Sequence, residues 1–107
     1  MRITVAVIAM TAAVATTASA QPTRLTDVEY LQAARCRGLA ASEALGAMDT
    51  AAIDALLKAQ TRGRSGYIVD KADQARSEAQ RMANRAGAER KSGLLAERDG
   101  ACKRYFG

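Results

Sequence analysis

After residue 20, only 13 of 87 residues are Leu, Ile, Val or Phe, whereas 18 are alanine. That composition leaves little large apolar surface for a core. Alanine has the highest helix propensity and lets helix backbones approach closely, so the chain can still pack if it packs as helices. No stretch alternates apolar and polar residues with period two, and strands are not expected. The fold class that follows is all-α, a small up-and-down bundle of three to four helices.

A core this thin needs a staple, and Cys36 and Cys102 are the only cysteines. They can pair in one way. In the chain-entropy picture, closing that loop is worth about 4 kcal/mol, comparable to the whole stability of so small a domain. Their wide separation and apolar phase indicate a structural bond rather than a redox centre, and such a bond persists in an oxidising compartment.

The N-terminus points to the same compartment. Met1 and Arg2 form a short positive start, Ile3 to Val14 is nearly all apolar, and Ala18-Ser19-Ala20 supplies small residues for a signal peptidase. The expected organisation is a secretion signal over 1–20, cleaved after Ala20, followed by one small helical domain over 21–107. The apolar run is shorter than the roughly 20 residues that span a bilayer, and no Cys lies nearby to accept a lipid. A soluble periplasmic or secreted protein is expected. The predominance of Arg over Lys, 12 to 4, suggests a GC-rich bacterial genome.

Within 21–107 there are 15 basic and 11 acidic residues, a net charge of +4. This mild excess favours solubility and weak attraction to anionic surfaces, short of what a nucleic-acid binder shows. On one continuous helix, Arg76 and Arg90 would lie far around from Arg81 and Arg85. No nucleic-acid partner is expected.

Helical signals run in order along the chain. Thr26-Asp27-Val28-Glu29 has the form of a capping box, from which a first helix should bury Leu25, Val28, Cys36 and Leu39 and end near Gly46. Asp49 can cap a second helix carrying Ile53, Leu56 and Leu57. Arg62-Gly63-Arg64-Ser65-Gly66 then reads as a turn, the alternative being one long helix needing a second copy of the protein to cover it. From Tyr67 to Arg90 an alanine seam (Ile68, Ala72, Ala75, Ala79, Met82, Ala86) faces inward, with Glu78, Arg81, Arg85 and Glu89 spaced for intrahelical ion pairs opposite. Gly87 and Gly93 bracket a bend. A last helix should carry Leu94, Leu95, Ala101, Cys102 and Tyr105 on one face.

Chemistry is sparse. The chain has no histidine, which removes the usual general base near neutral pH and the commonest metal ligand. It has no Cys-x-x-Cys and no phosphate-loop motif. Asp70 with Asp73, and Glu97 with Asp99, could in principle serve as paired carboxylates in glycoside hydrolysis, but they read as solvated helix faces. No catalytic, cofactor or metal residues are assigned. The most suggestive segment is the glycine-rich basic turn, where Arg62 and Arg64 could clamp an anion and Tyr67 could lie over a ring. The expected function is non-enzymatic, through contact with a protein partner in the bacterial cell envelope, with a homodimer as one form of it. The alternative is a binding module for anionic lipid headgroups or acidic glycans through Arg62, Arg64 and Tyr67.

Overall fold

The computed structural model describes residues 23–107; the signal expected over 1–20 lies outside the described residues. The described residues form a small up-and-down bundle of four helices: α1 (Asp27–Ala41), α2 (Ala51–Gln60), α3 (Gly66–Arg85) and α4 (Ala88–Asp99). A 3-10 turn follows at Lys103–Tyr105, and no strand occurs among the described residues. The Cys36–Cys102 disulfide joins α1 to the segment after α4.

The capping box opens α1 as the sequence indicates. Thr26 Oγ1 accepts from Glu29 N at 3.1 Å, and Thr26 N donates to Glu29 Oε1 at 3.0 Å. Beyond that first turn α1 is not an amphipathic surface helix. Tyr30, Ala33, Ala34, Cys36, Gly38, Leu39 and Ala40 are all buried, and at 3.6 residues per turn they leave no uncovered sector wider than about 100° around the axis. α1 is therefore the centre of the bundle. Val28, expected on a buried stripe, is 65% exposed, because the groups docking on this turn, Gln60 and Arg64, bind Leu25 and Asp27 instead.

α3 supplies the closest contact. Arg64 meets Asp27 at one end of α1 and Asn84 meets Ser42 at the other, so the two helices run in the same direction. Between these points lies Gly38, where a Cβ would fall 2.2 Å from the Arg76 carbonyl oxygen and 3.0 Å from Ala79 Cβ. Helix backbones touch there, and only glycine permits it. The alanine seam is real but rotated: Ala72, Ala79 and Ala83 are buried, while Ile68, Ala75, Met82 and Ala86 are half-buried. The rotation turns Arg76 and Ala83 toward α1.

Several boundaries differ from expectation for tertiary reasons. α1 stops at Ala41 rather than near Gly46 because the next amides are taken by side chains: Ala44 N donates to Asn84 Oδ1 and Leu45 N to Ser42 Oγ, each at 3.4 Å, while Ser42 Oγ itself donates to Asn84 Oδ1 at 2.7 Å. These side-chain bonds replace helix continuation. α2 begins at Ala51 with Thr50, not Asp49, at its N-cap; Thr50 makes no side-chain cap bond, and Asp49 Oδ1 instead accepts from Ala51 N at 2.9 Å from one residue further out. The 61–65 segment is a turn, as expected, in which Gly63 has φ +75°, a region open to glycine, while Gly66 already belongs to α3. α3 ends at Arg85 rather than Arg90, and Gly87 caps α4. Gly93 produces no bend; it lies inside α4. Cys102 and Tyr105 are buried as expected, but they follow the helix end, and Ala101 is exposed.

The ion pairs also differ. Those found among the described residues are Arg35–Glu97, Arg37–Asp54, Arg64–Asp27, Arg104–Glu29 and the local Arg98–Asp99. None is the expected ladder of Glu78, Arg81, Arg85 and Glu89. Four of the five tie separate elements together.

Candidate functional site

The glycine-rich turn divides its two arginines between different tasks. Arg64 lies along the turn with its side chain only 4% exposed. Its Nε donates to the Gln60 carbonyl at 2.7 Å, Nη1 to Asp27 Oδ1 at 2.7 Å, and Nη2 to the Leu25 carbonyl at 2.6 Å and Gln60 Oε1 at 3.2 Å. The guanidinium carbon is 4.4 Å from the centroid of the Tyr30 ring, within cation–π range. Tyr30 Oη bonds Thr61 Oγ1 at 3.0 Å. Arg64 thus fastens the α2–α3 turn to the start of α1, and its donors are already engaged inside the fold.

Arg62 and Tyr67 have the opposite character. Arg62 is exposed, and its carbonyl accepts from the Arg24 guanidinium. Tyr67 is 68% exposed, with Lys71 Nζ 5.6 Å from its ring centroid. The structure therefore does not bring Arg62, Arg64 and Tyr67 together as one clamp. Burial separates Arg64 from the other two, a distinction that spacing alone does not carry.

Two further concavities flank α1. Between α1, α2 and α3 a cavity of about 250 Å³ is lined by Tyr30, Arg37, Asp54, Lys58, Asp73 and Arg76, among others. Arg37 Nε holds Asp54 at 2.9 Å and Thr50 Oγ1 adds a bond at 2.9 Å. The Arg37 bond above all holds the Asp54 carboxyl below its ordinary pKa; burial opposes it, and the Thr50 bond and the charges of Arg37 and Arg76 add to the lowering. Beside the disulfide, a cavity of about 270 Å³ is floored by Cys36, Cys102 and Tyr105. Here Arg35 grips Glu97 through two bonds of 2.7 and 3.0 Å, a fork that raises the arginine pKa further. Glu97 and Asp99 are each paired with an arginine; Asp70 and Asp73 are exposed on α3.

The third concavity arises where α3 breaks into α4. A shallow depression of about 450 Å³ is lined by Met82, Ala86 and Gly87, with Arg81, Arg85, Arg90 and Glu78 around it. None of the three arginines forms an ion pair among the described residues. Arg90 Nη2 instead lies 2.9 Å from Met82 Sδ, a weak acceptor. A continuous helix would place Arg90 away from Arg81 and Arg85; the turn at Gly87 folds it back beside them. Gly87 was the sequence signal for this, since it marked where the helix could break.

Among the described residues, no group of three or more His, Cys, Asp or Glu could hold a metal ion, and no helix is long and apolar enough to cross a membrane. The fold and these surfaces define a disulfide-stapled helical module with polar inter-helix clefts. Comparison with protein-family models, curated proteins and solved structures finds no match for this chain.

Proposed function

We propose that this protein is exported to the bacterial cell envelope and acts there by protein–protein contact rather than by catalysis. The observation that carries the reading is Tyr67. In a chain with few large side chains to spare for its core, this aromatic stands 68% exposed on the first turn of α3. A tyrosine fixed on a rigid helix costs little entropy to dock and is a recurrent anchor at protein interfaces. The disulfide suits an oxidising compartment, and the N-terminal signal pattern fits export. The lack of histidine supports a role without general acid–base chemistry.

The test is photocrosslinking in intact cells, with a photoreactive residue at position 67 and a control at exposed Glu43. A discrete protein adduct from position 67 alone is expected. Lipid or glycan adducts that vanish in Arg62→Gln would replace this reading with anionic-ligand binding. Turnover of an envelope substrate by the purified protein, abolished by a point substitution, would replace it with an enzyme.

A further inference from the structure

α3 carries two complementary features at its opposite ends. At its start, the exposed Tyr67 ring is followed by Asp70 and Asp73, both exposed and neither in an ion pair among the described residues. At its end lies the depression floored by Met82, Ala86 and Gly87, with Arg81, Arg85 and Arg90 unpaired around it. The first is an aromatic flanked by negative charge. The second is an apolar hollow flanked by positive charge.

The two features also share a face. At 3.6 residues per turn, Tyr67, Asp70, Arg81 and Arg85 fall within an arc of about 60°. If two copies of α3 are laid antiparallel about a two-fold axis near Ser77, Asp70 comes level with Arg85 of the second copy, whereas Asp73 lies about 60° outside that arc, beside the α1–α2–α3 cavity it lines. Tyr67 comes level with Ala86 and Gly87, about 28 Å along the helix from its own position, with the Met82 and Ala86 floor on the flank of the arc away from Asp73. A two-fold axis makes every contact occur twice, so one knob and one hollow per chain leave neither unfilled.

We infer that α3 is the contact face of a two-fold dimer in which Tyr67 of each copy enters the arginine-flanked depression of the other. This rests on the proposed role in protein contact and names a second copy of the chain as the partner. The hollow is shallow and open, which suits a single ring better than a long acyl chain. Its arginines can lie against the ring face while bonding Asp70 beside it. Two like charges limit the affinity: Lys71 sits over Tyr67 and approaches the opposing arginines, and Glu78 lies close to the axis and faces its own copy. The dimer is consequently weak and tunable.

The experiment is sedimentation velocity on the disulfide-bonded protein purified from the periplasm, from micromolar to millimolar concentration. A monomer–dimer equilibrium is expected, weakened several-fold at about 0.5 M salt by screening of the arginine–aspartate contacts. Tyr67→Ala and Arg85→Asp should each weaken it tenfold or more, and Asp70→Arg combined with Arg85→Asp should recover most of that loss. Lys71→Glu should tighten it. All four positions are exposed and outside the core, and an unchanged melting curve confirms folding for each variant. A monomer throughout the range, or a dimer indifferent to Tyr67→Ala and Arg85→Asp, overturns the inference. A monomer that still captures a different protein from position 67 overturns it too, while leaving the proposed function standing.

Discussion

α3 and α4 are joined by a short link, yet they are held to the central helix by different means. α3 meets α1 backbone to backbone at Gly38, with Ala72, Ala79 and Ala83 buried along the contact. α4 buries one residue, Leu94, and is attached instead by the Arg35–Glu97 fork, by Arg98 donating to the Leu45 and Gly46 carbonyls, and by the disulfide just beyond its end. Close packing of small residues makes the first contact specific and intolerant of added volume. Polar and covalent attachment makes the second tolerant of local change but dependent on a few bonds. A chain poor in large apolar residues has thus concentrated its packing in one helix pair and tethered the remainder.

The largest test of that contrast removes the tether. Replacing both cysteines by serine should cost about 4 kcal/mol for a loop of 66 residues, lowering the melting temperature by about 15–30 °C. Amide exchange should rise first in α4 and the 3-10 turn, while the α1–α3 contact stays protected longest. Equal loss of protection in α3 and α4 would dissolve the distinction.

Next comes Gly38→Ala. In an exposed helix this exchange stabilises by about 1 kcal/mol, but here the new methyl meets a backbone carbonyl that cannot rotate away. Destabilisation of about 1–3 kcal/mol is expected from the forced separation of α1 and α3. Urea unfolding measures the sign, and a gain in stability would mean the helices are not in close contact.

Gly93→Ala is the matched control in α4. Nothing lies within 4 Å of a Cβ at Gly93, so the ordinary propensity rule should hold and stabilise the protein by about 0.5–1 kcal/mol. Opposite signs for two mid-helix glycines would sharpen the comparison further.

The smallest effect is that of acid. Glu29 is held below its usual pKa by the Thr26 backbone N–H, the Thr26 side chain and Arg104, and Asp54 chiefly by Arg37. A carboxylate with a depressed folded pKa contributes stability in full above its unfolded value, about 4, and loses it as pH falls through the folded one. Melting temperature should therefore be flat from weakly acidic to neutral pH and decline below about pH 4. Asp54→Asn should reduce that decline; an identical acid profile in the variant would remove Asp54 from the account.

Much of this arrangement was legible before folding because it is local or combinatorial. The capping box at Thr26 and Glu29 involves atoms one turn apart, and two cysteines admit a single pairing. The turn at Gly63 was readable from its glycines. Gly38 carried a weaker signal, an isolated glycine within a helical pattern, whose meaning depends on what approaches it. The burial of Arg64 was not legible, since Arg62 and Arg64 are equivalent as sequence and differ only in which one meets Asp27, Leu25 and Gln60 across the bundle.

By itself the sequence determined that the described residues are all-helical, where α1 starts, and that one disulfide joins Cys36 to Cys102. These follow from propensity, from hydrogen bonds within a turn and from counting. Tertiary structure alone decided that α1 is the central helix, that α1 stops where Asn84 captures Ser42, and that Arg90 joins Arg81 and Arg85 around one depression. Each depends on groups far apart in the chain, or on the direction taken after a break, which helical periodicity within a single segment does not encode.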